Sequence, residues 1–530
     1  MNLNVPRRVP HSPRHFFCHH PPDPERANLR SQSIAMPQPA DKHPPADAPL
    51  GSPNVQTNPN SALWTRHLGQ VADLKDWFEK LAGMNHRLWF DSASDHSHDR
   101  GRHSFLTADP VAWLQASLTD PDPWPTYHDW CLRLSKQERP TDLPPFCGGI
   151  AGLVAYEAAW WIEPSVQMPP SFLGEQPPLG LAIGVYDWTI AVDHSTGSAT
   201  LISNGLNEDL VTDPQRAQHR GEAILERLAS PRCAPTASHT ENSQPSVSSG
   251  FLTEVPGIRS NFDSPRYIAS VTEIIDRIRA GDSFQVNLAQ TLTHEATCSA
   301  EELYSRLRQS NPAPYAAFFD IGSEQILSSS PEGFLQIRDR HVVTRPIKGT
   351  VPRTGDEIED ERLAQVLGGS AKDRAENIMI VDLMRNDLSI ACRDDSVRVT
   401  GLCEIERYQS VQHLVSTVEG QLRDDVTISE LLAACFPGGS ITGAPKIEAM
   451  KTIARLERQP RGAYCGSIGY VSVSGNADFN ILIRTVTQRD GQWHFAVGGG
   501  ITARSEPQSE LEETWTKAAG LLRAIRPTEE

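Results

Sequence analysis

The chain has 530 residues, 38% of them hydrophobic, and a formal charge of −17. That charge excludes nucleic acid and anionic membrane as main partners, because both repel an acidic surface. An anionic substrate would need local help from a metal ion, an arginine or a helix N-terminus.

No run reaches the roughly 18–20 apolar residues of a membrane span, and the N-terminus lacks a long apolar signal segment. The nine cysteines form no CxxC pair, and an odd number rules out a complete intrachain disulfide framework. Reduced thiols in a cytoplasmic protein are the expectation.

Residues 1–60, rich in Pro, Ser, Asn, Gln and His, are expected to form a disordered extension. A first ordered region covers 61–229. Leu74, Trp77, Phe78 and Leu81 have helical spacing and predict an amphipathic helix. "HRLWFDSAS" and "HSFLTADP" predict strands flanking the His-rich loop "DHSHDRGRH". "FCGGIAGLVAYEAAWWIE" and "GLAIGVYDWTIAVDHSTGSATLISNG" predict buried strands and a hairpin, and "DPQRAQHRGEAILERLA" a helix. Residues 230–260 are a polar linker. From 261 to 527 helices and hairpins mix without βαβ alternation, which predicts an α+β fold with antiparallel sheets. There is no Walker loop, dinucleotide fingerprint or internal repeat.

Within that second region, "FLQIRD" and "HVVTRPIKG" read as a hairpin turning at Asp339-Arg340-His341. It brings residues near 332 opposite residues near 348, so Glu332 should lie beside Lys348. The pair is either a cross-strand salt bridge or an acid and a nucleophile. "PGGSITGAPK" leads two glycines into a helix start with Pro445 near its first turn, which is either an ordinary cap or an anion cradle. "SELEETWTKAAGLLRAI" is an amphipathic helix carrying Glu510, Glu513 and Lys517 on one face, and "KDRAENIMIVDLMRNDLS" is a second helix carrying Glu376. Carboxylates from two helices suit Mg²⁺, or they are solvated faces. "NILIRTV" places Arg484 in an apolar strand, where it needs an anionic partner.

The stretches "GDSFQVNLAQ", "SSSPEGFL", "RPIKGTVPR", "KDRAENIMIVDLMRNDLS", "QHLVS", "PGGSITGAPK", "RGAYCGSIGY", "NILIRT" and "GGGITARSEPQSELEET" follow one another in the order of the chorismate-utilising enzymes. Residues 261–527 resemble the chorismate-binding catalytic domain of that family. A weaker similarity extends back to residue 61 over its N-terminal domain. The resemblance implies two lobes with antiparallel sheets packed face to face and helices outside. By position it makes Glu376 and Glu513 Mg²⁺ ligands, with Glu510 acting through water. Arg484 and Tyr464 match residues that hold a chorismate carboxylate. Gly499 and Ile501 lie in the segment that meets the enolpyruvyl carboxylate. Thr442 and Gly443 belong to the anion loop, and Lys517 matches a lysine at the metal-proximal carboxylate. His413 matches an active-site histidine and Glu332 a general acid.

Two positions separate branches of the family. Members that add water at C2 carry a lysine where this chain has Gln285, and an amide is no base. Members that release anthranilate usually read "PIAGT"; this chain reads "PIKGT". Lys348 resembles the nucleophile of the branch that aminates C4 and keeps the enolpyruvyl group. The other readings are an anthranilate-forming subunit and a non-catalytic protein that binds a glutaminase. No glutaminase motif is present, so ammonia is expected from a separate glutamine amidotransferase subunit.

Overall fold

Trp64–Gln70 opens the first of two antiparallel sheets in the computed structural model. The structure describes residues 63–71, 74–93, 101–136, 143–166, 169, 172, 177–231, 250–408 and 411–526. The expected N-terminal extension, residues 95–100 of the His-rich loop and residues 232–249 of the linker lie outside the described residues.

Local chemistry sets the helices. Asp213, Asp263 and Ser299 each accept a backbone N–H to cap the helices Pro214–Ala229, Ser264–Ala280 and Ala300–Ser310. Gly281, left-handed at φ 94, ends the second of these and turns the chain into strand Gln285–Glu295. The helix over Leu74, Trp77, Phe78 and Leu81 is short, Lys75–Lys80, with Phe78 buried.

All named strand pairs are antiparallel, and each sheet draws strands from both sides of the 230–260 segment. The end of that segment is not linker as the sequence suggested: Phe251–Leu252 and Arg259–Ser260 add two edge strands to the first sheet, with Ile258 buried, because Arg259 and Ser260 pair with Thr293 and Leu292. In the thirteen-stranded sheet Leu88–Asp91 pairs with Tyr315–Asp320. In the ten-stranded sheet Gly149–Val154 pairs with Ser467–Ser472. Leu88, Phe105, Phe319 and Ile326 of the first sheet share a core with Ile150, Leu153, Leu335 and Ile468 of the second. Their sequence neighbours Trp89, Leu106, Phe318 and Leu327 point the other way and pack under Leu303, Leu307, Ala518 and Leu521 of two helices. A sheet covered on both faces is why these strands read as continuous apolar runs rather than alternating ones. Each fully buried large side chain contributes about 1.5–3 kcal/mol.

Two crossings between the sheets create the polar seam. Strand Gln325–Ser330 lies in the first sheet and Gly333–Arg338 in the second, so Pro331 and Glu332 span the gap. Strand Ala477–Asn480 lies in the second and Thr485–Arg489 in the first, so residues 481–484 span it in reverse. The crossings bond to each other: the Ile481 N–H donates to Glu332 O at 3.0 Å and the Ser329 N–H to Arg484 O at 3.1 Å. Arg484 is therefore not inside a strand as the sequence suggested. It sits at the bend, with φ 51, because the run "NILIRTV" changes sheets within it.

A buried network braces the same region. The Arg461 guanidinium donates to both Glu457 carboxylate oxygens, at 2.9 and 2.6 Å, and to the carbonyls of Ile441 and Asn287 at 2.9 and 3.1 Å. Glu157, on the far side of the sequence, accepts the Arg461 and Gly462 N–H groups at 2.6 and 2.9 Å. Arg461→Met strands the Glu457 carboxylate in the interior, and breaking such a pair costs about 3–5 kcal/mol. The expected result is a matching loss in denaturant-unfolding free energy.

Candidate active site

A cavity of about 770 Å³ opens beside the seam, within the size range of small-molecule sites. Its walls include Glu332, Lys348, Lys372, Glu376, His413, Tyr464, Arg484, Glu513 and Lys517. The structure thus brings these side chains together from elements far apart in sequence.

Lys348 is aimed by a backbone irregularity. Strand Ile347–Pro352 pairs Ile347 with Val415 and then Thr350 with His413, so Lys348 and Gly349 form a β-bulge opposite one residue. Gly349 has φ 78, and a Cβ there would lie 2.7 Å from Leu367 Cδ1 and 3.0 Å from Asp373 Cγ. Only glycine fits, and the bulge turns the preceding lysine into the cavity. Lys348 Nζ donates to Ser440 O at 3.2 Å. Burial pulls its pKa below the ordinary lysine value, against the Glu376 and Glu332 carboxylates; Lys517 adds to the depression.

Glu332 stands beside it as the hairpin geometry predicts. Asp339 and Arg340, both at positive φ, make the two-residue turn, and the register runs Arg338 to His341 and Gln336 to Val343. Glu332 is 6% exposed. Burial pushes its carboxyl up, opposed by the Ser440 hydroxyl, Lys348 and the Ile347 N–H. The lysine is driven toward its neutral form and the glutamate toward its protonated form.

Of the three expected metal carboxylates, Glu376 and Glu513 line the cavity, and Glu510 is buried outside its lining. Glu376 comes from helix Ala371–Ala391, and Glu510 and Glu513 from helix Pro507–Ile525. Glu376 Oε1 is buried and has no hydrogen-bond partner. Burial raises the pKa of Glu376 and of Glu510. It also pushes Glu513 up, but Lys517, Lys372 and Lys348 together outweigh it and Glu513 ends below its usual value. Lys517 Nζ lies 2.7 Å from Glu513 Oε1 and donates to Gly498 O at 2.8 Å. Lys372 Nζ lies 3.8 Å from Glu510 Oε1. Gly499 faces this group: a Cβ there would meet Glu510 Oε2 at 3.2 Å and Glu513 Oε1 at 3.4 Å. An all-oxygen donor set with one orphaned carboxylate oxygen fits a hard divalent cation such as Mg²⁺. Among the described residues no three potential ligands already converge at binding distance; Lys517 pairs with Glu513 and Lys372 lies near Glu510.

Arg484 Nη1 reaches Asn311 Oδ1 at 3.4 Å, and burial alone lowers its pKa. No carboxylate lies within ion-pair distance of it among the described residues. A guanidinium this enclosed and unpaired is set up for an anion from outside the chain. Tyr464 is buried, and its ring lies 5.7 Å from the Arg461 guanidinium carbon. His413 Nδ1 and the Thr350 hydroxyl are 2.9 Å apart, and Tyr408 packs edge-on against the ring.

Thr442, Gly443 and Ile501 stand behind the wall rather than on it. The Thr442 hydroxyl donates to Gly438 O at 2.9 Å, and Gly443 and Ile501 both pair with Val286. The long-range ladder with Gln285 and Val286 uses the loop backbone that a bare helix start would leave free. Conversely, Asn287, Asn311, Lys372, Asp373 and Ser440 line the cavity without having stood out in the sequence. Lys372 and Asp373 adjoin Glu376 on its helix, and that proximity was the available signal.

The chorismate binding enzyme family model matches residues 77–523. Aminodeoxychorismate synthase component 1 of Escherichia coli (strain K12) is 39% identical, over 80% of this chain and 84% of that protein. Anthranilate synthase component 1 of Thermus thermophilus is 38% identical, over 74% of this chain and 80% of its own length. The crystal structure of anthranilate synthase component I from Streptococcus pneumoniae TIGR4 superposes with a TM-score of 0.67 at 30% identity, covering 80% of this chain and 92% of that one.

Proposed function

The chain belongs to the chorismate binding enzyme family, and from that premise we propose that it is an aminodeoxychorismate synthase component 1. It would convert chorismate and ammonia to 4-amino-4-deoxychorismate, a precursor of 4-aminobenzoate in folate biosynthesis. Identities of 39% and 38% to the two kinds of relative do not separate the activities. The observation that carries the reading is a lysine at 348, turned into the cavity by its bulge beside Glu332.

Chorismate is a dianion with a hydroxyl leaving group at C4. Arg484, which lines the same cavity as Tyr464, supplies the unpaired cation for one carboxylate. Glu376 and Glu513, with Glu510 through water, would hold Mg²⁺. When bound, the ion supplies positive charge for the ring carboxylate and draws electron density from the diene. Neutral Lys348 attacks C2, the ring double bonds shift, and the C4–O bond breaks as Glu332 gives its proton to the departing hydroxyl. Water leaves, and the lysine is held to C2 by a C–N bond. Ammonia then adds at C4, the double bonds return, the C2–N bond breaks to free Lys348 as its neutral amine, and the new C4 ammonium gives one proton back to Glu332. The enolpyruvyl group is untouched throughout. Ammonia would come from a glutamine amidotransferase subunit. The cytoplasm suits seven described cysteines that are all free thiols, and no helix among the described residues is long and apolar enough to cross a membrane.

The test is the product formed from chorismate, Mg²⁺ and ammonium at alkaline pH. A product that becomes 4-aminobenzoate only after a lyase is added supports the proposal; fluorescent anthranilate as sole product overturns it. Arg484→Gln is expected to weaken chorismate binding by roughly 10- to 100-fold, as loss of a charge-assisted pair does. Equilibrium binding of chorismate to the variant measures this.

A further inference from the structure

Lys348, Lys372 and Lys517 line the cavity with Asp373, Glu376 and Glu513, and Glu510 is buried next to Glu513. Two of the lysines are held by the protein: Lys348 by Ser440 O at 3.2 Å, and Lys517 by Gly498 O at 2.8 Å and Glu513 Oε1 at 2.7 Å. Lys372 is different. Among the described residues its one ion-pair contact is Glu510 Oε1 at 3.8 Å, too long for a hydrogen bond, and its side chain is 45% exposed while that of Glu510 is 5% exposed. It also sits in the first turn of helix Ala371–Ala391, the positive end of the helix dipole, where a carboxylate is favoured and a cation is not. A lysine placed against its own helix needs another reason to be there. Its charge acts on Glu376, Glu510 and Glu513 alike.

We propose that Lys372 serves two ions in turn: it neutralises Glu510 in the metal-free protein, and when a hydrated divalent cation takes its place beside that carboxylate the freed ammonium pairs with a carboxylate of the substrate. This rests on the reading of the cavity as a chorismate and Mg²⁺ site. The charges explain the exchange. A divalent cation alone would add two positive charges beside Lys372, Lys517 and Arg484. A substrate dianion alone would face Asp373, Glu376 and Glu513. Together they leave the net charge unchanged, and Lys372, the least tethered ammonium, is free to move from protein carboxylate to substrate carboxylate. Metal and substrate therefore assist each other's binding.

The test is a pair of calorimetric titrations on Lys372→Met. Mg²⁺ without substrate should bind at least about threefold tighter, because its competitor for Glu510 is gone. Chorismate at saturating Mg²⁺ should bind about tenfold weaker, because its second cation is gone. Lys372→Arg should restore chorismate binding. Lys372→Gln, with a long polar stem, should repeat both signs and guards against a folding defect of the methionine variant. Mg²⁺ binding that is unchanged or weaker, or chorismate binding that is unchanged, overturns the proposal. Wild-type protein that binds no chorismate would instead overturn the functional reading beneath it.

Discussion

Lys348→Ala is expected to lower 4-amino-4-deoxychorismate formation on the order of 10³-fold or more, the scale of losing a covalent nucleophile. Neither of the other cavity lysines can replace it. Lys517 is bonded to Gly498 O and Glu513, and Lys372 stands against Glu510. Chorismate affinity should hold within a few-fold, because Arg484 and Tyr464 remain. Any residual product should shift toward anthranilate, since the variant reads "PIAGT". The measurement is product formation from chorismate and ammonium under single-turnover and steady-state conditions, with chorismate binding measured separately. Wild-type turnover by the variant would refute the nucleophile.

Glu332→Gln is expected to reduce turnover by about 10²- to 10⁴-fold, the usual worth of a general acid, and to change the shape of its pH dependence. The productive state needs Lys348 neutral and Glu332 protonated, so it carries one proton shared between the two. Below the glutamate pKa both groups are protonated and activity falls. Above the lysine pKa both are deprotonated and activity falls again. The wild-type profile is therefore a bell. Its acidic limb lies above the ordinary Glu range because burial raises Glu332, and its alkaline limb lies below the ordinary Lys range because burial lowers Lys348. Glu376, Glu513 and Lys517 also face Lys348, the carboxylates raising its pKa and the second lysine lowering it. Without Glu332 the only remaining requirement is a neutral lysine. The variant should then rise with pH to a plateau and lose the alkaline fall. A profile that keeps its alkaline fall would remove Glu332 from the acid role.

What was legible in the sequence follows the range of the interactions involved. The hairpin around Asp339 and Arg340 is local, so the neighbourhood of Glu332 and Lys348 could be read from spacing. The helical faces carrying Glu376, Glu510, Glu513 and Lys517 obey a short period and were visible for the same reason. The bulge at Lys348 and Gly349 is set by the facing strand Val411–Gln421, so only the glycine hinted at it. Arg484 looked like a strand residue because an apolar run does not reveal that it changes sheets. Gly443 looked like part of an open helix start because its partner, Val286, lies far back in the chain. The Glu157–Arg461 contact joins residues 304 positions apart, and nothing in either local sequence announces the other.

Peptide mass spectrometry of the protein quenched during turnover tests the central claim most directly. With chorismate and Mg²⁺ present and ammonium withheld, the account requires the peptide carrying Lys348 to gain the mass of chorismate less one water, and the added mass to disappear when ammonium is supplied. A Lys348 peptide that stays unmodified, in a preparation that forms 4-amino-4-deoxychorismate once ammonium is added, would contradict it.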